Sequence, residues 1–129
     1  MYDALLFDLD GTLIDTESIA LETGLAVFAA HGHPVSRAFL EGLVGRDEPS
    51  SEALIRAAYP GIDLAAVNSA HRAAFAERVD LGLALKPGAA DLLAAATLPC
   101  AIVTSSRRAG AHRKLAIAGI AQSFAHVVT

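Results

Sequence analysis

The sequence predicts an α/β fold, a parallel sheet whose chain is interrupted by a long helical insert. Three observations predict it. Ala4-Leu5-Leu6-Phe7 and Cys100-Ala101-Ile102-Val103 are short unbroken apolar runs, which suit strands buried on both faces of a parallel sheet. Each run ends in polar residues: Asp8-Leu9-Asp10-Gly11-Thr12 follows the first, Thr104-Ser105-Ser106 the second. Between them, residues 16–83 carry helical periodicity and turn signals but no strand pattern.

The elements follow in order. Residues 16–30 read as a helix, with Leu21, Leu25 and Phe28 on one stripe. His31-Gly32-His33-Pro34 ends it, with glycine as the cap and proline soon after. A second helix is expected over 36–43, and Gly45-Arg46-Asp47-Glu48-Pro49 reads as a polar loop. Ser50 or Ser51 is the expected cap of a third helix reaching Ala58. A fourth spans 64–79, with Leu64, Val67, Ala70 or His71, and Ala74 on one side. After Pro87-Gly88 the α/β pattern resumes: helix over 89–96, strand over 100–103, and helix over 107–118 stopped by Gly119. A third strand begins in 124–129.

Composition narrows the function. The 129 residues, 53% of them hydrophobic, suffice for a domain with a real core. A net charge of −4 argues against nucleic acid or an anionic membrane as the main partner. It leaves room for an anionic substrate, because a metal and local dipoles can reverse the field inside a small site. The single cysteine, Cys100, reads as a core residue. It favours a reducing, cytoplasmic location. No apolar stretch reaches membrane-spanning length.

Two carboxylates one residue apart, at the carboxyl end of a buried strand, need positive charge beside them. Open parallel sheets bind ligands at that end. A divalent cation is the usual solution, and hard cations take oxygen ligands. Gly11 lets the backbone turn sharply, and Thr12 offers a hydroxyl and an amide to an anion. Thr104-Ser105-Ser106 ahead of a helix is an anion-binding arrangement, or Ser105 or Ser106 caps that helix.

The run Asp-Leu-Asp-Gly-Thr-Leu-Ile-Asp-Thr-Glu at 8–17 resembles the first motif of the haloacid dehalogenase-like (HAD) superfamily, in its phosphatase branch. The resemblance covers essentially the whole chain. It implies a Rossmann-like core at 1–15 and 84–129 and a small helical cap at 16–83, with Leu85-Lys86-Pro87-Gly88 as the returning hinge. It implies that Asp8 is a nucleophile that becomes an aspartyl phosphate, and that Asp10 is first general acid, then general base. It implies Mg²⁺, bound by the Asp8 carboxylate and the Asp10 backbone carbonyl. Thr104 becomes a holder of the phosphoryl group, with Ser105 as a further contact, and Arg46 a cap-loop residue that helps choose substrate.

The expected function is a Mg²⁺-dependent phosphatase acting on a small phosphorylated metabolite, of sugar phosphate or phosphoglycolate type. Asp10 argues against the dehalogenase branch, and Ala20 stands where related mutases carry a histidine. A receiver-type signalling domain fits less well, because the second strand ends in Thr104 rather than an acid. The family's lysine and second acidic motif have no counterpart in suitable order, since Lys114 lies in the helix directly after Thr104. The chain therefore reads as the N-terminal part of such a protein, the rival being a non-catalytic or truncated fragment. Phosphate monoester hydrolysis needs accelerations up to roughly 10²¹-fold. One general acid contributes on the order of 10²–10⁴-fold.

Overall fold

In the computed structural model, which describes all 129 residues, three short parallel strands lie in the order β1-β2-β3: Leu5–Phe7, Cys100–Val103 and His126–Val128. The fold is α/β, with six α-helices. The register pairs Phe7 with Ile102 and Ile102 with Val127. That row belongs to a core with Leu9, Leu13, Ile14, Ala89, Ala111, Leu115 and Ile120. Helices α5 (Ala89–Ala95) and α6 (Arg108–Ala118) supply its other wall.

The opposite face of the sheet is largely exposed: Leu6 is 70% exposed, and Val103 and Val128 are also exposed, while Ala101 between Leu6 and His126 is buried. The expectation of strands buried on both faces therefore holds for Ala101 and Ile102 of β2 and is corrected for β1, whose Leu6 faces solvent. Strand β1 pairs with β2 alone, so its other edge is free of ladder bonds.

Two compact units divide the chain: Met1–Glu17 with Val79–Thr129, and Ser18–Arg78. The first contains the sheet. Where the chain leaves and re-enters it, Ile14 pairs antiparallel with Leu85. The Asp15 amide donates to the Ala84 carbonyl and the Lys86 amide to the Leu13 carbonyl, both at 2.9 Å.

The second unit is built from α1 (Thr16–Ala30), α2 (Arg37–Glu41), α3 (Glu48–Ala58) and α4 (Leu64–Asp80). Its core holds Val27, Phe28, Ile55, Ile62, Leu64 and Val67. Leu21 and Leu25 of the expected stripe are only half-buried, and Val27 takes a core place beside Phe28. The third helix starts earlier than expected. Asp47, not a serine, is its N-cap, accepting the Ser50 amide at 2.8 Å, and Pro49 fits the first turn, where its missing N–H is no loss. The third strand starts later than expected, at His126, because the Phe124 amide is still bonded back to the Ala121 carbonyl of the 3₁₀ turn at Ala121–Ser123.

Candidate active site

The carboxyl ends of β1 and β2 lie side by side because the strands are parallel and adjacent. The polar residues following each strand are thereby brought to one end of the sheet. After β1 the backbone turns so tightly that the amides of Thr12, Leu13 and Ile14 all reach the Leu9 carbonyl, at 3.3, 3.0 and 3.3 Å. Gly11 has φ +74°, a left-handed backbone that glycine adopts without strain.

The Asp8 side chain is exposed, and the Thr12 hydroxyl donates to its Oδ2 at 3.3 Å. Asp10 is held far more firmly. Oδ1 accepts from Thr16 Oγ1 at 2.9 Å and from Lys114 Nζ at 2.6 Å. Oδ2 accepts from Ser106 Oγ at 2.7 Å and from Lys114 Nζ at 2.8 Å. Burial pushes the Asp10 carboxyl up, but the bonds from Lys114, Ser106 and Thr16, with the Lys114 charge, outweigh that and hold it below the ordinary aspartate value.

Thr104 is buried, and its hydroxyl oxygen accepts the Ser106 amide at 3.1 Å. Its own amide donates to the Val128 carbonyl, fastening this turn to β3. Ser105 is exposed. Neither serine caps α6: Arg107 occupies the N-cap without a side-chain bond, and Ser106 turns to Asp10 instead. The first amides of α6 thus lack a side-chain acceptor, a favourable setting for an anion. Arg46 lies in the Ser18–Arg78 unit, exposed, with its Nε donating to the Gly42 carbonyl at 2.8 Å.

Lys114, Ser106 and Thr16 are the residues the sequence reading did not place beside Asp10. Lys114 reads as too early in the chain for the family's lysine, yet its ammonium reaches the site. Side chains on a helix lean toward its N-terminus, and the turn before α6 brings Ser106 back to within 2.8 Å of Lys114 Nζ, eight residues later in the chain.

A cation would find two hard oxygen donors here. The Asp8 carboxylate is exposed, and the Asp10 main-chain carbonyl accepts none of the turn's amides, which converge on Leu9 and Ile14 instead. The Asp10 side chain is bonded to Thr16, Ser106 and Lys114, so its carbonyl is the group that could meet a metal. Such a sparse set suits Mg²⁺, which keeps several waters and takes one or two carboxylates plus substrate oxygens. No three His, Cys, Asp or Glu side chains converge as a metal-binding group, here or elsewhere, and no helix is long and apolar enough to cross a membrane.

Comparison with known proteins gives a consistent answer. The family model described as haloacid dehalogenase-like hydrolase matches residues 5–129. Validoxylamine A 7′-phosphate phosphatase of Streptomyces hygroscopicus subsp. limoneus is 33% identical, over all of this chain and 62% of its own length. A conserved haloacid dehalogenase-like protein of Agrobacterium tumefaciens superposes with a TM-score of 0.86 at 21% identity, covering 100% of this chain and 59% of that one. A HAD family hydrolase of Deinococcus radiodurans, solved with bound phosphate and sodium, matches with a TM-score of 0.72 at 28% identity, covering 98% and 57%. The chain thus spans about three fifths of the length of these relatives.

Proposed function

Because the chain belongs to the haloacid dehalogenase-like hydrolase family, we propose that it serves a phosphatase that cleaves a small phosphate ester through an aspartyl phosphate on Asp8. A phosphorylated sugar-like metabolite is the substrate class, in keeping with the phosphatase relative and with the anion-friendly turn at Thr104. The observation that carries this reading is the joining of the two polar turns: Ser106 Oγ bonds Asp10 Oδ2 at 2.7 Å, next to an exposed Asp8.

In the first step an Asp8 carboxylate oxygen attacks phosphorus, the ester P–O bond breaks, and the leaving oxygen takes a proton from the Asp10 carboxyl. In the second, water gives a proton to Asp10 and attacks phosphorus, and the bond to Asp8 breaks to release phosphate. Thr104, Ser105 and Thr12 bind the phosphoryl oxygens with hydroxyls and amides. The Asp8 carboxylate and the Asp10 carbonyl would hold Mg²⁺, which would supply positive charge to offset the charge of the phosphoryl oxygens. Arg46, with a guanidinium suited to gripping an anion, contributes to substrate choice. The cytoplasm is the expected location, with a single thiol and no disulfide.

The test is phosphate release from a panel of small phosphate esters, with Mg²⁺ and with EDTA, for the protein and its Asp8→Asn variant. Mg²⁺-dependent release that disappears in the variant supports the reading. Release that survives Asp8→Asn sinks it, as does acid-labile phosphate attached at another residue.

A further inference from the structure

Lys114 meets Asp10 from 104 residues further along the chain. Its ammonium donates to Asp10 Oδ1 at 2.6 Å, to Oδ2 at 2.8 Å and to Ser106 Oγ at 2.8 Å. An ammonium has three N–H groups, so all of them are engaged. Ser106 Oγ donates to Asp10 Oδ2 in turn, closing a ring of three side chains.

This pair differs from the other ion pairs of the chain. Arg37–Glu41, Arg78–Glu22 and Arg113–Asp80 all have both side chains at least 43% exposed, whereas the Lys114 side chain is 12% exposed. Exposed pairs of that kind contribute little. Ordering a long lysine stem away from water costs rotamer entropy, which the Lys114 contacts offset.

The geometry also separates Lys114 from the other two donors. Thr16 binds only Oδ1 and Ser106 only Oδ2, while Lys114 binds both oxygens from one atom. A donor almost equidistant from both oxygens opposes a swing of the whole carboxyl away from it, whereas the single-oxygen bonds from Thr16 and Ser106 oppose its rotation about the Cβ–Cγ bond. Position matters for a proton-transfer group, which must come within about 2.6–3.2 Å of its target.

We propose that Lys114 is a positioning residue: by bridging both oxygens it sets where the Asp10 carboxyl points, and so where a proton is delivered. This rests on the reading of Asp10 as the acid of the first step. Lys114 acts through Asp10.

Lys114→Met keeps the apolar stem and removes the donors. The readout is kcat/KM, which covers the steps through departure of the leaving group, on two probes. The alcohol leaving 2-glycerol phosphate needs a proton, and the acetate leaving acetyl phosphate does not. Lys114→Met is expected to lower kcat/KM for 2-glycerol phosphate about 30-fold, within the range a general acid contributes, and to leave acetyl phosphate unchanged. Lys114→Arg, a two-pronged donor, recovers part of the loss.

A Lys114→Met rate on 2-glycerol phosphate equal to or above wild type overturns the proposal. An equal loss on both probes overturns it too, because a merely structural role acts on both. Asp10→Asn is measured alongside: if it spares 2-glycerol phosphate turnover, the acid reading of Asp10 fails by itself. The crystal structure of Lys114→Met then decides the positioning role. A carboxylate turned away from its wild-type orientation supports it, and one unmoved on Thr16 and Ser106 overturns it.

Discussion

The hydroxyl of Ser106 donates to Oδ2 of Asp10 over 2.7 Å, across 96 residues of chain. The bond ties the turn after β1 to the turn after β2. Together with Lys114 and Thr16 it keeps Asp10 ionised to lower pH than an ordinary aspartate. That has a direct consequence for acid stability.

A carboxyl depressed in the folded state stabilises the fold above its unfolded value, and the contribution is lost as the pH falls through the folded value. The unfolded value is about 3.9. The Tm difference between wild type and Asp10→Asn is expected to hold steady from about pH 7 to about pH 5 and to shrink from about pH 4 downward. Thermal melts followed by circular dichroism across that range check it. A difference that grows in acid would count against the clamp seen around Asp10.

Gly11→Ala tests the turn that carries both acids. A Cβ there would stand 2.6 Å from Glu17 Oε1, and φ is +74°. The Glu17 carboxylate is the far end of a flexible side chain and can swing aside. The expected cost is therefore that of the left-handed backbone, about 1–2 kcal/mol, read as a lower urea midpoint with unchanged slope.

Ile102→Ala tests the sheet's packed face. Ile102 is 0% exposed and stands between Phe7 and Val127 in the register. The cavity is expected to cost about 2–5 kcal/mol. Leu92→Ala, at a half-exposed position of α5, serves as the control. Its expected change is within about 0.5 kcal/mol. Chemical denaturation of both variants gives the comparison, and equal losses would contradict the assignment of the core.

Hydrogen exchange reads the free edge of β1. The Leu5 amide donates to the Pro99 carbonyl at 2.9 Å. Strand residues alternate in direction along a ladder, so the Leu6 amide points to the unpaired side. Slow exchange at Leu5 and fast exchange at Leu6 are expected in the monomer. Protection of both would mean that something covers this edge.

Much of this was legible in the residues. The two apolar runs pair in parallel, and Gly119 adopts the left-handed C-cap at φ 74° that its position after a periodic run predicts. The spacing of Asp8, Asp10 and Gly11 located the turn. What escaped was reach and surroundings. Periodicity puts Lys114 on a helix face but says nothing of how far its stem leans back, so its contact with Asp10 came only from coordinates. An apolar run shows what a strand can bury, not what lies opposite, so the exposure of Leu6 was hidden. The start of α3 was misplaced because three nearby residues, Asp47, Ser50 and Ser51, are all of types that make good caps. Only geometry shows that Asp47 accepts the Ser50 amide.

The pairing of Ile14 with Leu85 has one more consequence. Residues opposed across an antiparallel bridge sit about 5 Å apart, so the chain that departs at Ile14 returns beside its point of departure. Everything between these residues hangs from a closed stalk. Lengthening, shortening or exchanging that stretch costs little in loop closure, because each doubling of a flexible loop adds only about 0.6 kcal/mol. The stalk lets the stretch between Asp15 and Ala84 change in length and sequence while the turn that carries Asp8 and Asp10 keeps its place.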